Sequence, residues 1–136
     1  DPAIGDVVCR ARRTGPGRRL ADVLLDQRIA AGIGNAYKSE LLFLRRLAPD
    51  RTLGELDDEE LRALFSLAGA LIRANLGGGP RTTRFLSDRA GRLWVYRRRG
   101  EPCLRCGTLV RMARLGEDRR STYWCPACQG TAQSTG

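Results

Sequence analysis

Cys103-Leu104-Arg105-Cys106 and Cys125-Pro126-Ala127-Cys128 stand eighteen residues apart near the end of this chain, and their spacing decides how its last third folds. Two thiolates at i and i+3 on a tight turn chelate one metal ion, and two such turns on a hairpin complete a tetrahedron. The sequence contains no histidine, so a zinc site here can only be all-cysteine. Four sulfurs leave no open coordination position, so one structural zinc on Cys103, Cys106, Cys125 and Cys128 is expected. The alternative is a pair of disulfides in a small secreted module. Against it, no secretory signal pattern is read and the fifth cysteine, Cys9, has no partner. Cys9 itself reads as a buried apolar thiol.

A chain of 136 residues holds one domain or two small ones. Apolar residues make up 42%, enough for a modest core, but the last third is too polar to hold together without its metal. No apolar run approaches the ~20 residues of a membrane helix, so no membrane partner is expected. Net charge is +9, and between Arg81 and Arg120 twelve arginines face four acids (Asp88, Glu101, Glu117 and Asp118). Four thiolates on zinc subtract about two charges and leave that stretch strongly basic. A basic cluster beside a zinc hairpin points to a polyanion, most simply nucleic acid. A solvated arginine-rich face is the plainer alternative, because Lys38 is the only lysine.

The expected architecture is mainly α: a helical bundle over residues 1–92, including a basic linker, then a small zinc β-hairpin over residues 93–136. Residues 1–13 read as a helix ending before Thr14-Gly15-Pro16-Gly17. Arg18 to Asp26 reads as a short helix with Leu20, Val23 and Leu24 on one face. After Gly32-Ile33-Gly34-Asn35, a helix from Ala36 to Leu47 is apolar around most of its circumference, so it should be central and buried. Asp57 and Glu60 have the spacing of a capping box, followed by Leu61, Leu64, Phe65, Ala68, Leu71 and Ile72 at helical intervals. Residues 81–92 read as an irregular basic linker and Leu93-Trp94-Val95-Tyr96 as strand-like. The hairpin strands are expected near 109–115 and 120–124.

Glycines between two helices let an anion approach the backbone, and the second helix start offers free N–H groups and a partial positive charge. Asn35 can cap that helix or donate its amide to a phosphate. The stretch from Leu24 to Glu40, centred on Gly32-Ile33-Gly34-Asn35, resembles the helix–two-turn–helix of the formamidopyrimidine-DNA glycosylase and endonuclease VIII family. Val95 to Gly107 resembles the entry to that family's zinc finger, and Arg120 to Gln129 resembles its exit. The two motifs occur in the family's order, and together they cover nearly the whole chain.

The resemblance implies that Gly34 and Asn35 contact backbone phosphates, that Tyr96 offers its hydroxyl to a phosphate, and that Arg120, at the hairpin tip, inserts near the everted nucleotide. Gln27 would order the turn, and Arg97 to Arg99 would add nonspecific charge. The family's catalyst is a terminal proline amine followed by glutamate, which forms a Schiff base with the sugar. Here the sequence opens Asp1-Pro2-Ala3, and no residue is assigned a catalytic role. The chain therefore reads as the C-terminal half of a bifunctional glycosylase and abasic-site lyase of base excision repair, inactive by itself. The implied partner is duplex DNA with damaged bases or abasic sites, bound by a cytoplasmic monomer of bacterial type. Gly77-Gly78-Gly79-Pro80-Arg81-Thr82-Thr83, where the purine-specific branch carries its lesion loop, leans the reading toward endonuclease VIII and oxidised pyrimidines. The alternatives are a non-enzymatic zinc module for structured or ribosomal RNA, and a protein-interaction zinc ribbon.

Overall fold

Asp57 starts the longest helix of the molecule. In the computed structural model, which describes residues 2–86 and 88–130, its side chain accepts from the Glu60 N–H (2.8 Å), while Glu60 reaches back to the Asp57 N–H (3.0 Å). This capping box satisfies two otherwise orphaned donors and sets the register of the helix. The described residues form five α-helices: α1 (Pro2–Arg12), α2 (Leu20–Leu25), α3 (Asn35–Leu44), α4 (Asp58–Ala74) and α5 (Pro126–Gln129). An antiparallel hairpin, β1 (Arg111–Leu115) with β2 (Arg120–Trp124), pairs Leu115 with Arg120 and Arg111 with Trp124. Helix dominates the first 74 residues; the remainder is mostly turns and the hairpin, so the mainly-α expectation holds only for the first part.

Helix α3 is the spine. Residues 36–43 are buried all round because two cores share it. Leu41 and Leu42 join the helical core with Leu20, Leu24, Leu61 and Leu64. Phe43 instead joins a second core with Val95, Cys103, Val110 and Cys125. The helix ends at Leu44, three residues earlier than expected. Arg46 turns left-handed (φ 57°), and the Leu47 N–H returns to the Leu42 carbonyl (2.9 Å), closing the end against the chain's exit toward Pro49.

Two further expectations fail for local reasons. Cys9 is exposed, because α1 turns Val8 and Ala11 into the core and leaves the intervening position outward. Residues 93–96 form a turn, not a strand. Their N–H groups do not meet a neighbouring strand: those of Trp94 (2.6 Å), Val95 (2.8 Å) and Tyr96 (3.0 Å) all converge on the carboxylate of Glu40. Thr83 adds its hydroxyl to the same group. Among the described residues, no helix is long and apolar enough to cross a membrane.

Candidate nucleic-acid interface and metal centre

The four predicted sulfurs come together. All lie within 4.8 Å of one another, with Cys103 Sγ 3.9 Å from Cys128 Sγ and Cys106 Sγ 3.4 Å from Cys125 Sγ. A tetrahedral zinc with Zn–S bonds of about 2.3 Å spaces its sulfurs about 3.8 Å apart, so the cluster fits. Backbone amides of Arg105 and Cys128 point at the Cys103 and Cys125 sulfurs (3.4 Å each), the orientation a thiolate needs. Hydrogen bonds from Thr108 hold the Cys106 thiol down to about 6, whereas burial pushes Cys128 up to about 12. Four thiolates this close repel one another, and a divalent cation removes the conflict. These residues would hold one zinc in a closed, structural site.

The finger is bolted to α3 by polar contacts rather than by apolar packing alone. The Asn35 amide donates to the Ser121 carbonyl (2.8 Å) and hydroxyl (3.1 Å). Lys38 Nζ donates to the same carbonyl (3.1 Å) and to Thr122 Oγ1 (2.9 Å). The Tyr123 N–H donates to Ser39 Oγ (3.2 Å). Lower down, Gln129 accepts from the Cys125 N–H (2.8 Å) and donates to the Leu47 carbonyl (2.9 Å). Strand β2 thus lies against α3 with its register fixed by side chains of the helix.

This arrangement brings the sequence-predicted residues together. Gly34 is the N-cap of α3, exposed, and Asn35 is the first helical residue, so Asn35 does not cap the helix as one expectation had it. Arg120 opens β2, beside the Ser121 that Asn35 holds. It is not the hairpin tip. Gly116 to Arg119 form the tip, which docks on α2: Asp22 accepts the Glu117 N–H (2.9 Å), and Arg18 grips the Glu117 carboxylate with two bonds (2.9 and 3.0 Å). Tyr96 is half-buried and meets Tyr123 of β2 edge-on (ring centroids 5.4 Å apart). Arg97 stacks over the Tyr96 ring.

Not all of the basic stretch is free charge. Arg98, expected only to add nonspecific charge, braces the turn by donating to the carbonyls of Trp94 (3.2 Å) and Pro102 (3.1 Å). Arg84 stacks on Trp94 and pairs with Asp88, whose carboxyl it holds down to about 2. Arg105 lies over the Phe43 ring (4.3 Å). Gln27 orders the two-turn segment as expected, accepting from the Gly32 N–H (2.9 Å) and donating to the carbonyls of Leu25 and Ile33. Asp26 lies well below the usual carboxylate range because Arg28 and Arg18 both bind it.

The two glycines of the turn differ in their reasons. Gly32 is left-handed (φ 95°), and a Cβ there would press on Ile72, so the fold itself requires it. Gly34 has an ordinary backbone (φ −95°), and a Cβ there would meet nothing within 4 Å. The protein leaves open space over the start of α3.

Residues 7–87 match the family model described as the formamidopyrimidine-DNA glycosylase H2TH domain, and residues 100–130 match the zinc finger found in FPG and IleRS. A probable endonuclease 8 2 from Streptomyces coelicolor is 49% identical over 119 residues, covering 86% of this chain and 42% of that protein. The DNA-(apurinic or apyrimidinic site) lyase Nei2 of Mycolicibacterium smegmatis is 46% identical, over 84% of this chain and 44% of that one. A formamidopyrimidine-DNA glycosylase of Parasynechococcus marenigrum is 40% identical, over 83% and 42% respectively. The crystal structure of the MutM (Fpg) protein of Thermus thermophilus superposes with a TM-score of 0.76 at 33% identity, over 96% of this chain and 51% of that one. Lactococcus lactis Fpg in complex with abasic-site DNA superposes at 0.72 with 26% identity, over 90% and 46%. The chain spans less than half the length of these curated relatives.

Proposed function

Since the chain belongs to the formamidopyrimidine-DNA glycosylase family, we propose that it is the DNA-holding part of a bifunctional glycosylase and abasic-site lyase of base excision repair. In this reading it clamps the phosphates of a kinked duplex while chemistry on the everted nucleotide is done elsewhere in the protein. The observation that carries the reading is the start of α3. Gly34 leaves open space at the helix start, and the next residue, Asn35, holds Ser121, which follows Arg120 on β2. Open space of this kind suits a phosphate, with the N–H groups of a helix start and a guanidinium to receive it, while the Asn35 amide, engaged with Ser121, holds β2 in place. Tyr96, packed against β2, extends the same surface. The single lysine is fully buried, so no side-chain amine is offered to a sugar aldehyde. Within the family we favour the endonuclease VIII branch, which the names of the relatives at 49% and 46% identity, probable endonuclease 8 2 and Nei2, support, and with that branch oxidised pyrimidines as substrates.

Substitution at Gly34 tests the reading, because the fold and the ligand ask for different residues there. Gly34→Ser supplies a better helix cap and is expected to leave the melting temperature unchanged or slightly higher. The same hydroxymethyl group occupies the phosphate's space, so affinity for an abasic duplex should fall about tenfold or more, the loss of one good charge-assisted contact. Unchanged affinity in a folded Gly34→Ser protein would place the DNA elsewhere. Arg120→Ala should weaken all duplexes alike and make the log affinity–log salt slope shallower by about one, whereas Asn35→Ala, which removes a neutral amide, should weaken all duplexes alike and leave the slope unchanged. A wild-type slope in Arg120→Ala would remove Arg120 from the clamp, and wild-type affinity in a folded Asn35→Ala would remove Asn35.

A further inference from the structure

Lys38 is fully buried (0% exposed) in the middle of α3, yet both acceptors of its ammonium, the Ser121 carbonyl and Thr122 Oγ1, are neutral. A buried charge without a close counter-charge costs several kcal/mol, and an apolar side chain would fill the same space without that cost. The charged groups acting on it from the packed elements are Arg120 of β2, which opposes its charge, and Asp22 of α2, which favours it. Asp22 is already engaged with the Glu117 N–H, and Glu117 with Arg18. On α3 itself, Glu40 is taken up by the N–H groups of residues 94–96. Burial, and then Arg120, push Lys38 down to about 8. The ammonium is linked through one shared acceptor to the half-buried Asn35 at the start of α3, since the carbonyl that accepts from Lys38 also accepts from Asn35.

We propose that Lys38 is a positioning residue and buried counter-charge for a DNA phosphate: an anion seated against Gly34, Asn35 and Arg120 supplies the negative charge that its own acceptors do not, while its two hydrogen bonds hold β2 on α3. The proposal rests on the DNA-binding reading above. It has a consequence that a purely structural lysine lacks. A phosphate favours the charged ammonium, so Lys38 binds its proton more tightly in the complex than in the free protein. The resulting gain in affinity is fully present below the free value of about 8 and is lost as pH rises through the higher value in the complex. DNA binding therefore takes up a fraction of a proton in this window.

The test is anisotropy with an abasic duplex at fixed salt, from about pH 7 to about pH 9.5, for the zinc-loaded wild type, Lys38→Met and Lys38→Gln. If the phosphate tightens the proton about tenfold, wild-type affinity falls about fivefold to tenfold across that range. Both variants are expected to bind several-fold more weakly at the low end and to vary less than about twofold with pH. Zinc content and thermal melts establish folding; if the methionine variant does not fold, the glutamine variant, which keeps a donor for Thr122 and Ser121, carries the comparison. A wild type whose binding is salt-dependent but flat with pH overturns the proposal, as does a folded variant with the wild-type pH profile. A wild type that binds no duplex at all instead overturns the DNA-binding reading, and the proposal with it.

Discussion

Removing zinc with a chelator is expected to unfold residues 100–130 and to weaken duplex binding by about 10²-fold or more at ~150 mM salt, as the finger's phosphate contacts disperse. The finger's core shows why. It has five buried members, and two of them, Cys103 and Cys125, are themselves proposed ligands. Without metal, the proton affinities within the cluster are pushed in opposite directions, with Cys106 down to about 6 and Cys128 up to about 12. Structural zinc in such modules contributes about 10–16 kcal/mol, far more than a core of this size. Helices α1, α2 and α4 have a separate core, so most far-ultraviolet helix signal should survive while the environment of Trp124 changes. Cys125→Ser should reproduce the loss. A chelated protein with unchanged tryptophan emission and unchanged affinity would show that the four cysteines do not hold a structural metal.

Glu40→Ala should be the most destabilising substitution outside the metal site. Its carboxylate is fully buried and accepts three backbone N–H groups and the Thr83 hydroxyl. Truncation leaves those donors dry, so the cost is about 3–5 kcal/mol, or a fall of about 10–20 °C in melting temperature for a chain of this size. Glu40→Gln retains one good acceptor and should fall between. Because the turn at 94–98 carries Tyr96 and Arg98, the alanine variant should also release the finger from α3. A change of less than about 3 °C on Glu40→Ala would mean that the turn forms without this carboxylate.

Local signals were legible where one stretch of sequence sets its own structure. The capping box at Asp57 and Glu60, the cysteine pairs and the strand 120–124 all follow from nearby residues. The failures arise where the fold supplies partners that the local pattern does not announce. Leu93-Trp94-Val95-Tyr96 has the composition of a strand, but its donors go to Glu40, more than fifty residues earlier in the chain. Arg98 looked solvated as one of three arginines, yet its acceptors lie in the folded turn around it. The polar face Lys38-Ser39-Glu40 was overlooked as the finger's dock, although one signal was available. Three polar residues sat in succession on a helix whose apolar positions already predicted burial all round, and buried polar groups require partners.

The central claim is that this surface holds damaged duplex DNA by its phosphates. The most direct measurement is the affinity of the zinc-loaded chain for a duplex with one central abasic site, for the undamaged duplex, and for a structured RNA of similar length, each at matched salt. The account predicts that the abasic duplex binds tightest and that its affinity falls at least about tenfold between ~50 and ~200 mM salt. Binding that ignores salt, or RNA held as tightly as the abasic duplex, would contradict it.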